Sequence, residues 1–212
     1  MTDTTDTERS GTLLRHEQDP EDNEYATPPK IWRPLSRAVG GFDLDTASGA
    51  ESVPIAPNCY TAEDDGLAQP WYGWAFCNPP WASSDGSVKQ DWLRKARREA
   101  DRDAVDGVVV LLPVDTSAHW FHDHILSAPV VCFVGPGRIP FEGEDRNPSF
   151  PLLIAVYSDE VPSELVDTLD SLGAAVRGRE VYQPTTQAAL VPSADDGNSH
   201  GPHTDTDREV SQ

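Results

Sequence analysis

The residues best suited to chemistry are Asn78-Pro79-Pro80-Trp81, an amide, two prolines and an indole in direct succession. The Asn78 side-chain carbonyl can accept a hydrogen bond from an exocyclic amino group. The prolines fix φ and carry no N–H, so the Pro79 carbonyl is a second acceptor. Trp81 offers a ring face for a planar base, a stack worth about 1–3 kcal/mol. Two acceptors flanking one NH₂ leave its nitrogen lone pair more available, which is what an sp² amine needs to attack an electrophilic methyl group. No metal and no strong base is required. The plainer reading of the same residues is a strand-end Asn closing an Asx-turn.

Such a loop needs a scaffold, and the flanking pattern supplies one. Trp74–Cys77 is an apolar run that stops at the Asn-Pro-Pro segment, as a buried strand opening into a rigid loop does. Further strands are predicted at Phe42–Asp45, Val108–Leu112, Val130–Val134 and Leu152–Tyr157. Helices are predicted at Ile31–Val39, Val88–Asp103, Trp120–Leu126 and Ser163–Leu172. Strands that alternate with helices and are apolar on both faces predict an open, doubly wound α/β fold with a mostly parallel sheet. In such a sheet ligands bind outside the carboxyl ends of the strands, which is where Asn78 falls.

Composition narrows the function classes. The 212 residues carry 16 basic and 36 acidic side chains, a net charge of −20, which argues against a nucleic-acid partner on charge alone. Residues 1–24 contribute −6 and 191–212 contribute −4, and both read as disordered acidic tails around a domain at 25–190. The body is acidic overall, and six of its thirteen bases fall within Val88–Asp103. One Met, three Lys, 19 Pro and acids spread along the chain resemble the surface of a salt-adapted, halophilic protein, where ionic strength screens self-repulsion. The competing reading is an acidic mimic of DNA. Three widely spaced cysteines exclude a disulfide scaffold and fit a reducing cytoplasm. The acidic, polar N-terminus predicts no secretory signal, and the apolar runs are too short to cross a bilayer.

A family resemblance then becomes specific. Thr27–Glu51 (TPPKIWRPLSRAVGGFDLDTASGAE) and Asp64–Trp81 (DDGLAQPWYGWAFCNPPW) resemble the phage-type DNA N6-adenine methyltransferases, the Dam group of viral and proviral genomes. Val108–Phe121 and Phe133–Pro151 follow the same pattern, so the likeness covers about residues 27–157. It implies a Rossmann-like S-adenosylmethionine-dependent methyltransferase fold, abbreviated between Asp45 and Asn78. It also implies site-specific methyl transfer to adenine N6 in DNA, as in restriction-modification; a monomer is expected, and the chemistry needs no metal. By the same likeness Asn78, Pro79, Pro80 and Trp81 would be catalytic, and Thr27, Pro28, Asp45, Ser48 and Asp65 would hold the cofactor. The glycine-rich signature of the family is reduced here to Ser48-Gly49. Asp43 is as well explained by a strand end and turn. Asn-Pro-Pro-aromatic motifs also serve methyltransferases of RNA bases and protein glutamine amides. The reduced glycine loop is in turn compatible with a degenerate homologue that only binds DNA.

Four further groups complete the reading. Lys89, Arg94, Lys95, Arg97, Arg98 and Arg102 lie within fourteen residues. The five from Arg94 onward are expected opposite the Val88/Trp92/Ala96 stripe, as a solvated face or as a phosphate-contacting one with Arg94 and Arg98 on DNA. Arg138, after Gly135-Pro136-Gly137, is a second DNA contact implied by the resemblance, or part of a structural hairpin. His119, His122 and His124 read as surface and packing histidines rather than metal ligands, and Cys77 and Cys132 as core.

Overall fold

The structure is a computed structural model that describes residues 26–49, 54–81, 87–137 and 150–178. Both predicted tails and Arg138 lie outside the described residues. Seven strands form one sheet: β1 (Leu44–Asp45), β2 (Asn58–Cys59), β3 (Trp74–Cys77), β4 (Gly107–Pro113), β5 (Val130–Val134), β6 (Leu152–Tyr157) and β7 (Gly173–Arg177). Their order is β2-β1-β3-β4-β6-β5-β7. The pairs β1–β2, β1–β3 and β3–β4 are parallel, whereas β4–β6, β5–β6 and β5–β7 are antiparallel. The expected mostly parallel sheet is therefore corrected to a mixed one. β5 still points the same way as β4, but the reversed β6 has inserted between them. This mixed α/β architecture is compatible with a methyltransferase fold.

Three α-helices cover the sheet: α1 (Pro29–Ala38), α2 (Ser87–Ala100) and α3 (Ser163–Leu172). A π-helical turn occupies Phe121–Ile125, inside the predicted short helix. The strand register assigns the layers. Cys132 pairs with Ile154, so the two share a face, and the Cys132 thiol meets the Leu169 carbonyl of α3 at 3.2 Å. Tyr157, three residues beyond Ile154, points to the other face, where its hydroxyl donates to the His124 carbonyl of the π-helical turn at 3.1 Å. α1 packs with α3, and α2 packs with the π-helical turn. Both faces are thus covered, as the doubly wound reading requires. β3, β6 and the first six residues of β4 are buried throughout, which is why they are uninterrupted apolar runs.

Two strands have no counterpart in the sequence reading. β2 is two residues long and exposed. β7 follows α3 directly at Gly173, whose missing Cβ would stand 2.1 Å from the Phe133 carbonyl oxygen. Only glycine lets the edge strand close onto β5 there.

Candidate active site

The chain leaves β1 toward β2 on one side, then returns to place β3 on the other. That reversal is a topological switch point, and the crevice outside the carboxyl ends of β1 and β3 is where an open sheet binds its ligand. β1 and β3 are in register with Asp45 opposite Phe76, and the Thr46 amide donates to the Phe76 carbonyl at 2.9 Å. Asp45-Thr46 and Asn78-Pro79 therefore leave neighbouring strands side by side. β4 runs on to Pro113, past the partner of Cys77 at Val110, and forms the next wall.

Asn78 is half-buried, and its amide nitrogen donates to the Thr27 hydroxyl at 3.1 Å. This contact joins two segments 51 residues apart and fixes the amide, with Oδ1 on the side away from Thr27. Thr27, Pro28 and Pro79 are buried, and Pro80 is exposed. Trp81 departs from expectation. Instead of displaying a ring face it is 5% exposed, with Phe150 edge-on at 5.4 Å and 87°. Phe150 lies just before β6, whose reversed direction carries it across the end of the sheet. The Trp81 carbonyl also accepts a hydrogen bond from Lys89 Nζ. Lys89 stands beside Asp115 in the loop after β4. Burial lowers the pKa of its ammonium, and the Asp115 charge opposes that shift. Neither Lys89 nor Phe150 was singled out for this loop by the sequence. Their role rests on tertiary contacts that no local pattern carries.

Asp45 is 3% exposed and forms no ion pair among the described residues. Burial pushes its carboxyl up to about 6, although the Ala47 amide (3.3 Å to Oδ1) and the Ser48 side chain pull the other way. A buried carboxyl with two neutral donors and no cation is a suitable seat for a ligand ammonium. Asp43, by contrast, is structural. Its Oδ2 accepts the Trp74 amide at 2.8 Å, at the opposite end of β3.

Asp65 is exposed and holds φ at 53°, a left-handed turn. The next residue, Gly66, brings this loop against β1: a Cβ there would lie 2.2 Å from the Thr46 carbonyl oxygen and 2.9 Å from the Trp92 ring. The Trp71 indole N–H donates to the Gly66 carbonyl at 2.9 Å and holds the approach. The sequence-predicted residues Thr27, Pro28, Asp45, Ser48, Asn78 and Pro79 thus converge on one end of the sheet, with Asp65 carried on the loop that presses on Thr46.

With this geometry established, comparison with known proteins is decisive. The family model described as DNA N-6-adenine-methyltransferase (Dam) matches residues 15–156. The chain belongs to that family. Dam-family membership implies DNA adenine N6 methyltransferase activity, and DNA is the substrate expected of it. No curated protein and no solved structure matches the chain.

The basic stretch of this Dam-family chain looks different in three dimensions. Lys95, expected on the outer face of α2, is 5% exposed. It pairs with Glu99 at 3.0 Å and lies 5.3 Å from the Trp71 ring centroid. The reason is helical spacing: seven residues on from Val88, Lys95 falls about 20° from it around the helix, at the edge of the packed stripe. Arg102 bonds to Glu99 and to the Trp71 carbonyl. Arg94 pairs with Asp91 at 2.7 Å, and Arg97 reaches Ser127 at 3.4 Å. Arg94, Arg97 and Arg98 remain exposed.

His122 Nε2 lies 2.8 Å from the Thr116 carbonyl, and burial lowers the His124 pKa, helped by Arg94 and Arg97 and opposed by Asp123. Among the described residues no group of three or more His, Cys, Asp or Glu could hold a metal ion, and no helix is long and apolar enough to cross a membrane. Cys77 is buried in β3, where burial pushes its thiol up to about 12, as a core residue requires. A cavity of about 480 Å³ opens at the other end of the sheet, among Asp101, Asp103, Asp106, Asp159 and Glu160. Those acids repel phosphate, so the cavity is no part of a DNA site.

Proposed function

We propose that the chain transfers a methyl group from S-adenosylmethionine to adenine N6 at specific sequences in DNA. The observation that carries this reading is the placement of Asn78-Pro79-Pro80 and Asp45 at adjoining strand ends across the switch point, joined by the Thr46 amide to the Phe76 carbonyl, with Thr27 bonded to Asn78. S-adenosylmethionine supplies the activated methyl group. Asp45 would pair with its ammonium, and Ser48, Thr27 and Pro28 would line the same end of the crevice. Asp65 would reach the cofactor's adenine from the loop that Gly66 presses onto Thr46.

The target adenine is taken out of the duplex at a cost of a few kcal/mol. Its N6 amino group donates to Asn78 Oδ1 and to the Pro79 carbonyl. Pro80 keeps that carbonyl rigid. Trp81, anchored by Phe150 and Lys89, supports the loop in this form and would have to turn outward to stack on the base. Rate enhancement then comes from orientation and fixed dipoles. Arg94 and Arg98 on α2 are available to DNA phosphates. The acidic surface suits high ionic strength, so assays belong across a salt series.

The test is to sequence DNA from cells expressing the protein for N6-methyladenine, beside an Asn78→Ala control, with calorimetry of S-adenosylmethionine binding to both proteins. The expected result is sequence-specific N6-methyladenine that disappears in Asn78→Ala while cofactor binding survives. Full methylation by Asn78→Ala refutes the mechanism.

A further inference from the structure

Helix α1 carries a second basic surface with a different character from α2. Its ten residues, PKIWRPLSRA, contain Lys30, Arg33 and Arg37 and no acid, in a chain of net charge −20. At 3.6 residues per turn the three bases fall within an arc of about 60°, on the side away from Ile31 and Leu35. Ile31 and Leu35 are fully buried, and all three bases are exposed. None of the three is in an ion pair among the described residues. The Arg33 guanidinium lies 5.4 Å from the Trp32 ring centroid, which holds its planar fork over a flat surface.

We infer that Lys30, Arg33 and Arg37 grip the phosphate backbone of DNA beside the active site. α1 starts directly after Thr27-Pro28, and Thr27 is the hydrogen-bond partner of Asn78. The stripe therefore begins within one helical turn of the loop that would receive the base. From Lys30 to Arg37 the helix rises about 10.5 Å, which laid along the duplex axis spans about three phosphates of one strand at 3.4 Å of axis each. A polyanion meets acids nearly everywhere else on this chain, including Glu164, Asp167 and Asp170 of the neighbouring α3, whereas α1 itself presents none. Because α1 and α2 lie on opposite faces of the sheet, this surface is separate from Arg94 and Arg98. The inference rests on the Proposed function only in taking DNA as the partner.

The experiment measures binding of the full-length protein to a duplex oligonucleotide by fluorescence anisotropy over a salt series. Each phosphate neutralised contributes about 0.9 to the slope of log affinity against log salt. Lys30→Gln/Arg33→Gln/Arg37→Gln should therefore flatten the slope by about 2 to 3, with S-adenosylmethionine affinity and melting temperature unchanged. The charge-keeping Lys30→Arg/Arg33→Lys/Arg37→Lys should retain the wild-type slope, and Lys30→Gln alone should lose about one unit of it. An unchanged slope in the single and triple Gln variants overturns the inference. So does a loss of slope seen only in Arg94→Gln/Arg98→Gln. Methyl transfer is scored in parallel. A wild-type protein that binds DNA through α1 yet transfers no methyl sinks the catalytic reading alone. Transfer with an α1-independent slope sinks this inference alone.

Discussion

Asp45→Asn should stabilise the unliganded protein and, at the same time, destroy its hold on a cationic ligand. The Asp45 carboxyl is buried without a cation, and burial raises it from 3.8 to about 6. Above pH 6 the folded state must ionise a group that the unfolded chain ionises more easily. At 1.36 kcal/mol per pKa unit, a shift of about two units costs about 3 kcal/mol at neutral pH. The sign follows from the raised folded value. The contribution is fully present below the unfolded pKa, declines as pH rises through the folded one, and is gone by about pH 7. Asparagine keeps the shape and the acceptor for the Ala47 amide but never ionises. Scanning calorimetry should therefore find Asp45→Asn melting about 6–12 °C above wild type near pH 7.5, at 2–4 °C per kcal/mol, with the gap closing near pH 4. A ligand ammonium reverses the penalty by favouring the carboxylate, so wild-type cofactor affinity should fall as pH drops below about 6, and Asp45→Asn should lose at least about tenfold in affinity (about 1.4 kcal/mol). If Asp45→Asn melts lower than wild type at neutral pH, or if the gap between them does not depend on pH, the account of Asp45 as an unpaired ligand seat is wrong.

Gly66→Ala places a Cβ 2.2 Å from the Thr46 carbonyl oxygen, about 1.2 Å inside ordinary contact, and no flexible side chain can yield there. It should cost about 1–3 kcal/mol of stability and weaken cofactor binding, and wild-type values for both in denaturant titration and calorimetry would show that the loops do not need this approach. Lys89→Met removes the ammonium held by the Trp81 carbonyl. It should lower kcat about tenfold (about 1.4 kcal/mol of transition-state stabilisation) with cofactor Kd unchanged, and Lys89→Arg should restore most of the rate; an unaltered kcat in Lys89→Met would refute the bracing role.

Much of the framework is legible in the sequence because burial writes itself into composition. β3, β5, β6 and α3 lie where their apolar runs or helical spacing end, at Cys77, Val134, Tyr157 and Leu172. What escapes has no local signature. β2 has only two residues, both exposed, and β7 is held by pairing to β5 rather than by its own apolar content. The reversal of β6 is a property of connections, and no residue in Leu152–Tyr157 announces it. At the site, the position of Asn78 at the end of β3 was legible from the apolar run before it, whereas Asp45 was singled out by the family resemblance. The burial of Trp81 was not legible, because Phe150 reaches it from 69 residues away in sequence. Lys95 was misplaced for a related reason: its neighbours suggest a basic face, yet a long stem over Trp71 and a carboxylate one turn on let a lysine sit inside.

The two ends of the sheet are also separated by charge, and that separation bears on how an acidic protein could approach DNA. α2 begins with Lys89 bonded to the Trp81 carbonyl and ends beside the acidic cavity that Arg102 helps to line. Its exposed bases thus stand progressively nearer to Asp101, Asp103 and Asp106 as the helix descends. α1 begins at the active-site end and carries no acid at all. A phosphate backbone drawn to the α1 face is brought to the Asn78 loop, whereas one following α2 away from that loop meets increasing repulsion. Raising the salt concentration shortens the reach of the distant acids more than it weakens close contacts. Were DNA to bind as proposed, this distribution of charge would favour encounters at the Asn78 loop, even though the net charge of the chain opposes any encounter.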